Sequence, residues 1–266
     1  MTRTRTSKST VVLALTAGAG LLAGCSAGGG GSAVATSPPV SPATTAPAPS
    51  GPATSAVTPA SGAVGAGCAP AGTGMPAGAV SGPTVDVDGD GRADSMWLQR
   101  NADGTQLAGI TTASGATFSA SYSSASPLPR RVLVADVNGA GTIAAIVSDG
   151  RQAGLFTVLN CSLVPAMNPQ GAQYTFDLGM GVNGTGIGCT KVAGTSATGL
   201  VGLKLNRDGA GKPVSVTRTA ILLKGASASN GASDTVDVSG DPTGPAATTA
   251  TQITCGDLTM KANGVG

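Results

Sequence analysis

Histidine and glutamate are both missing from this sequence; all 13 acidic side chains are aspartates. Without histidine there is no Ser-His-Asp or Cys-His nucleophile system. Without glutamate, a paired-carboxylate glycosidase would have to use two aspartates. Nor is there a G-x-S-x-G elbow, and no serine stands three residues before a lysine. "GTSATG" (194–199) is out of register for such an elbow and reads as a turn. Charge is also scarce, at 11% of residues, and the net charge of the whole chain is +2. Removing the N-terminal segment with Arg3, Arg5 and Lys8 leaves 12 basic against 13 acidic side chains, a net charge of −1. Near-neutral charge without a basic cluster argues against a nucleic-acid binder. These absences make an enzyme the least favoured reading, with aspartates such as Asp177 the only general acid–base candidates.

The first residues have the layout of an export signal. "MTRTRTSK" is a basic opening, and "TVVLALTAGAGLLAG" (10–24) is an apolar run too short to span a membrane permanently. It ends in "LAGC", Leu22 to Cys25. This box resembles the lipobox of bacterial lipoproteins. The resemblance implies cleavage after residue 24, acylation of Cys25 and an extracytoplasmic domain held to the cell membrane by lipid, since paired acyl chains anchor stably. Of the five cysteines, Cys68, Cys161, Cys189 and Cys255 then remain. An even number in an oxidising compartment predicts two disulfides, with three possible connectivities. The expected pairing is Cys161–Cys189, closing a short loop between neighbouring strands, and Cys68–Cys255, tying the domain's ends. A zinc cluster is disfavoured by the lack of C-x-x-C and of histidine.

Residues 25–67 form a linker of Gly, Ala, Ser, Thr, Pro and Val after the anchoring cysteine. Such a stretch cannot bury enough apolar surface to offset its ordering entropy, so a disordered tether is expected. It is similar to the Thr/Pro-rich tethers of actinobacterial lipoproteins, which are often glycosylated. Residues 68–266 are long enough for one core. Their apolar runs are short, β-branched and bounded by Gly, Asn, Asp or Pro. Strands are expected at 95–99, 107–112, 116–122, 131–136, 142–148, 154–160, 173–178, 199–205, 214–223 and 234–239. The fold class is therefore all-β, in propeller-like or stacked antiparallel sheets. A weak repeat supports this: "DVDGDGRAD" (86–94) and "DVNGAGTIA" (136–144) both run into an apolar segment, at a blade-like interval.

The first of these two segments is the densest run of charge in the chain. Asp86, Asp88 and Asp90 alternate, Asp94 follows, and glycines at 89 and 91 let the backbone curl. Four carboxylates and the carbonyl of Arg92 are the kind of oxygens that calcium takes, whereas magnesium prefers a rigid octahedron with several waters. An EF-hand would need a bidentate acid at position 12, where Trp97 stands. The competing reading is a metal-free Asp/Gly hairpin. The nonapeptide followed by "SMWL" (95–98) resembles the FG-GAP or VCBS calcium repeat of integrin-α-like β-propellers. That resemblance implies a structural calcium held by Asp86, Asp88, Asp90 and Asp94 through their side chains and by Arg92 through its carbonyl. In the second copy Ala140 and Ala144 replace acids, so that loop is expected to persist only as a turn.

A last segment, "YTFDLGMGVNGTGIGC" (174–189), combines two aromatics with five glycines. It reads either as a ligand loop or, preferably, as a strand with Tyr174 and Phe176 in the core. With the strand at 214–223 it is similar to uncharacterised actinobacterial secreted proteins, a likeness that implies no activity. The functional expectation is a lipid-anchored, calcium-stabilised β domain for binding or adhesion at the cell surface. The alternatives are a structural envelope lipoprotein and an aspartate-based hydrolase. The partners expected are the membrane and an envelope or surface ligand.

Overall fold

A computed structural model describes residue 65, residues 67–103 and residues 105–266. The signal segment, Cys25 and nearly all of the linker lie outside the described residues. The remainder is all-β, as its short β-branched runs predict.

Three antiparallel meanders follow one another. The first contains β1 (Val80–Pro83), β2 (Ser95–Arg100), β3 (Gln106–Thr111) and β4 (Thr117–Tyr122), hydrogen-bonded in that order. The second contains β5 (Arg131–Asp136), β6 (Ile143–Ser148), β7 (Gln152–Leu159) and β8 (Ser162–Pro165), with β9 (Thr175–Asp177) pairing the early part of β7. The third contains β10 (Thr185–Thr190), β11 (Gly199–Arg207), β12 (Pro213–Lys224) and β13 (Ser227–Asp237). A five-residue helix, α1 (Pro245–Thr249), and a small hairpin of β14 (Thr254–Cys255) and β15 (Leu258–Thr259) close the chain. The first strands of the three sheets begin at residues 80, 131 and 185.

The middle sheet is covered on both faces, and its sequence shows why. Every residue of β6 is buried, as are Val132 to Ala135 of β5. Continuous apolar runs such as "VLVA" and "IAAIV" suit a strand with no solvent face. The first sheet contributes Met96, Leu98, Ala108 and Ile110 to this main core, and the third contributes Ile187, Leu200 and Ile221. On the other face of the third sheet, Val201, Leu203 and Val216 form a smaller core with Ala247 of α1. Trp97 points away from Met96 and Leu98, is 1% exposed, and lies over the backbone of Gly109, its cross-strand partner. A side chain at Gly109 would collide with the indole.

All four cysteines of the described residues are in disulfides, but the pairing differs from the expected one. Cys68 is joined to Cys161 and Cys189 to Cys255, with Cα–Cα distances of 5.8 and 4.6 Å. The reason is topological. Cys161 lies in the two-residue turn between β7 and β8, where Asn160 and Cys161 both have positive φ (48° and 57°); the N-terminal segment meets it there. Cys189 sits on β10, and the C-terminal strap runs beside that strand: Ile187 pairs with Ile253 in parallel, and Ile187 N–H donates to Gln252 O at 2.8 Å. Cys255 therefore faces Cys189. The ends of the described domain are fastened separately, by Ala71 against Ala116 and by Val265 against Val132.

Candidate metal centre

The carboxylate loop is the connection from β1 to β2. Its geometry starts with Asp86, whose Oδ1 accepts from the N–H groups of Asp88 (3.3 Å) and Gly89 (2.7 Å) and whose Oδ2 accepts from Gly91 N–H (2.7 Å). The chain can wrap one carboxylate this tightly because Gly89 and Gly91 adopt φ of 76° and 82°. Asp88 turns the other way, toward the start of the domain. Its Oδ2 accepts from Cys68 N–H and from Ser114 Oγ, both at 2.8 Å. Ser114 Oγ also lies 2.7 Å from Cys68 O, bridging the two segments. Gly67 has a φ of 69°, and a Cβ there would fall 2.9 Å from Asp88 Oδ2.

Asp94 comes in from the far end of the loop, just before β2, and is 3% exposed. Its Oδ2 accepts from Val87 N–H and its Oδ1 from Ala113 N–H, both at 2.7 Å. Three elements therefore converge: the loop, the β3–β4 turn that carries Ala113 and Ser114, and the segment around Cys68. One carboxylate oxygen each from Asp86, Asp88 and Asp94 lies within 4.8 Å of the others. Opposite ligands of a calcium ion stand about 4.6–5.2 Å apart, given bonds of 2.3–2.6 Å, so a single ion can touch all three.

Asp90 and Arg92 are arranged differently from the other candidates. The Asp90 carboxylate is clasped by Arg92, with Nε at 3.0 Å and Nη2 at 2.7 Å, and accepts Arg92 N–H at 2.8 Å. It is not in the three-carboxylate group. The structure thus brings together Asp86, Asp88 and Asp94 and gives Asp90 an internal cation.

The electrostatics of the trio are uneven. Burial pushes the Asp94 carboxyl above the ordinary aspartate range; its two backbone hydrogen bonds oppose the rise, while the like charges of Asp88 and Asp86 add to it. Burial also disfavours the charged form of Asp88, but the bonds from Cys68 N–H, Ser114 and Asp90 N–H outweigh it and hold that carboxyl below its usual value. A carboxylate offers about four acceptor sites. Each Asp94 oxygen accepts one donor, so lone pairs remain for a cation, which would also relieve the repulsion. The residues present therefore fit a calcium ion, with further oxygens to come from backbone or water.

The second copy has the same start. Asp136 Oδ1 accepts from Asn138 N–H (3.2 Å) and Gly139 N–H (3.0 Å), and Oδ2 accepts from Gly141 N–H (2.9 Å). Gly139 and Gly141 have φ of 67° and 86°. Where Asp94 stands in the first copy, Ala144 is buried in β6, and among the described residues no group of three acids includes Asp136.

Two contributors could not be read from sequence. Ser114 and Cys68 lie 26 and 20 residues from Asp88, and no motif links them to it. The aromatic segment resolves structurally: Tyr174 and Phe176 meet edge to face at 5.2 Å, Phe176 is buried, and Tyr174 Oη lies 2.5 Å from Asn230 Oδ1. Asp177 is exposed and accepts Gly179 N–H at 2.9 Å. Comparison with known protein families, with curated proteins and with solved structures finds no match to this chain.

Proposed function

We propose that the chain is a lipid-anchored extracytoplasmic β domain, stabilised by calcium and two disulfides, that serves in binding or adhesion at the cell surface. The observation that carries the reading is the convergence of Asp86, Asp88 and Asp94 within 4.8 Å, with the most buried of them raised toward its neutral form. A cation at that point would tie the β1–β2 loop to the β3–β4 turn and to the Cys68 segment where the tether ends. The FG-GAP or VCBS likeness of residues 86–94 and the lipobox at Cys25 supply the ion and the anchor in this reading. Two disulfides suit an oxidising compartment outside the cytoplasm.

A purely structural envelope lipoprotein is the second reading, and one observation favours it. Trp97, Tyr122, Phe156 and Phe176 are buried and Phe118 and Tyr174 are partly so, leaving no exposed aromatic patch for a ligand.

Two measurements test the proposal. Calcium at about 100 times its dissociation constant should stabilise the domain by about 2.7 kcal/mol, seen as a higher Tm, because it binds the folded loop alone. Cys25→Ser should move the protein from the detergent phase to the aqueous phase. An unchanged Tm in millimolar calcium removes the cation, and unchanged partitioning removes the anchor.

A further inference from the structure

Asparagine followed by glycine occurs four times, at Asn138, Asn183, Asn230 and Asn263. The pair is chemically labile. Glycine has no Cβ to shield its backbone nitrogen or restrict its dihedrals, and that nitrogen can attack the side-chain amide of the asparagine before it. Folding decides which of the four can react. The attack needs a side-chain amide and an N–H that are free of other partners. Three of the four are tied down. Asn138 Oδ1 accepts from the Ala140 and Thr142 N–H groups (2.9 and 3.1 Å), and Gly139 N–H is spent on Asp136 Oδ1 at 3.0 Å. Asn230 lies within β13, opposite Ile221 of β12, and its Oδ1 meets Tyr174 Oη. Asn263 Oδ1 accepts Thr259 N–H at 2.8 Å, and a Cβ on Gly264 would fall 2.6 Å from Met260 O.

Asn183 differs from the other three. It is exposed, next to Val182, which is 85% exposed. It stands in the connection from β9 to β10, where Gly179, Met180, Gly181 and Gly184 have φ of 52°, 57°, 80° and 68°. The hydrogen bonds of this turn stop at Val182, whose N–H donates to Gly179 O at 3.0 Å. Neither the Asn183 side chain nor Gly184 N–H makes a hydrogen bond among the described residues. The Asn183 amide rests against Gly179, where a Cβ would fall 2.1 Å from its Cγ, so no side chain stands over it on that side. Gly184 itself is buried and anchors the next sheet, its carbonyl accepting Leu205 N–H at 2.7 Å.

We propose that Asn183 is a modification site, where the side-chain amide converts spontaneously to aspartate and isoaspartate with water as the only co-reactant. Gly184 N gives up its proton to solvent hydroxide and attacks Asn183 Cγ. The new N–Cγ bond closes a succinimide ring as the Cγ–Nδ2 bond breaks and ammonia leaves. Water then opens the ring. Cleavage of the N–Cγ bond gives aspartate, and cleavage of the bond from N to the Asn183 backbone carbonyl carbon gives isoaspartate. Either product adds one negative charge to the loop. Isoaspartate also routes the main chain through Cβ, one carbon longer, immediately before β10. That displaces Gly184 and breaks its bond to Leu205 N–H. The site is separate from the aspartate loop and does not depend on calcium.

The test is incubation of the full chain in mildly alkaline buffer, followed over time by peptide mapping with mass spectrometry. Asn183 should deamidate at least about tenfold faster than Asn138, Asn230 and Asn263, since each of those must first open locally. In denaturant all four should react at similar rates, because the differences between them are tertiary. The Asn183 rate should rise with pH, the nucleophile being the deprotonated amide. Asn183→Gln, at an exposed position, should fold normally and remove the fast phase, because ring closure is then less favourable. In the isoaspartate form Leu205 N–H should exchange with solvent faster than in the parent, while the amides of β6 keep their rates. The proposal is overturned if Asn183 stays intact in the folded protein while the unfolded chain reacts, if another of the four reacts as fast as Asn183 in the folded protein, or if Asn183→Gln keeps the fast phase.

Discussion

In the loop at 86–91 and in the loop at 136–141, the leading aspartate takes the same backbone N–H groups with the same Oδ assignments, around glycines of the same handedness. Past that point they part. The first loop receives Asp94 from one side and presents Asp88 to Cys68 and Ser114 on the other. In the second, Asn138 spends its Oδ1 on Ala140 and Thr142 N–H groups, and a buried alanine replaces the closing acid. The lesson is that Asp-Val-[Asp/Asn]-Gly-x-Gly codes a turn by itself. A metal centre needs acids brought in from outside that turn, and the turn geometry alone says nothing about an ion.

The largest expected effect comes from what holds Asp88 in place. Cys68→Ser with Cys161→Ser opens a crosslink spanning 93 residues and should cost about 4–5 kcal/mol in the loop-entropy account, measured by denaturant unfolding. It should also weaken calcium binding, because Cys68 N–H orients Asp88. Removing Cys189–Cys255 should cost stability without changing calcium affinity. Equal loss of affinity in both variants would show that general loosening, and not Asp88, is responsible.

Asp94→Ala comes next. It strands Val87 N–H in a buried setting and Ala113 N–H in a partly buried one, so the calcium-free domain should lose roughly 1–3 kcal/mol. Asp136→Ala in the exposed twin should cost less, since water can reach its N–H groups. A larger loss at Asp136 would reverse the ranking of the loops.

Acid should act on Asp88 in the first loop and also outside both loops, at Asp149. This carboxylate is 1% exposed. Burial opposes its ionisation, but bonds from Ser124, from the Gln152 and Arg151 N–H groups and the charge of Arg130 outweigh that and depress its pKa. A depressed carboxyl stabilises the fold above the unfolded value, and that contribution fades as pH falls through the folded one. Melts between about pH 4 and pH 2 should therefore show the parent losing stability more steeply than Asp149→Asn. Parallel curves would remove Asp149 from the acid response.

The smallest effect belongs to Asp90. Repulsion within the loop alone would make Asp90→Asn stabilising in the absence of metal. The Arg92 clasp changes that sign: the substitution breaks an ion pair whose arginine side chain is 59% exposed, where solvent screens the charges, and should cost only a little stability. A clear gain in Tm without calcium would mean that Asp90 faces its fellow carboxylates in solution.

The strands carried by β-branched runs were legible in the sequence. "RVLVAD" is β5 to the residue, and "SMWLQ" is β2 short of its last position. β8 and the small β14–β15 hairpin escaped, as did strands whose compositions argue against them: β1 is "VSGP", β10 is "TGIGCT", and the first half of β13 is "SASNGA". Their pairing partners override weak local propensity. The disulfide pairing was not legible because it depends on how the C-terminal strap lies along β10. For the metal centre, the acids were visible but their convergence was not. Alternation placed Asp90 with its neighbours, whereas a salt bridge two residues away claims it, and Ala113, Ser114 and Cys68 enter only through tertiary packing.

The central claim is that the first loop holds an ion and its twin does not. Isothermal titration of calcium into the metal-stripped domain tests it most directly. The account predicts a single saturable site per chain, lost in Asp88→Ala and unchanged in Asp136→Ala. No binding heat at millimolar calcium, or equal loss in both variants, would contradict it.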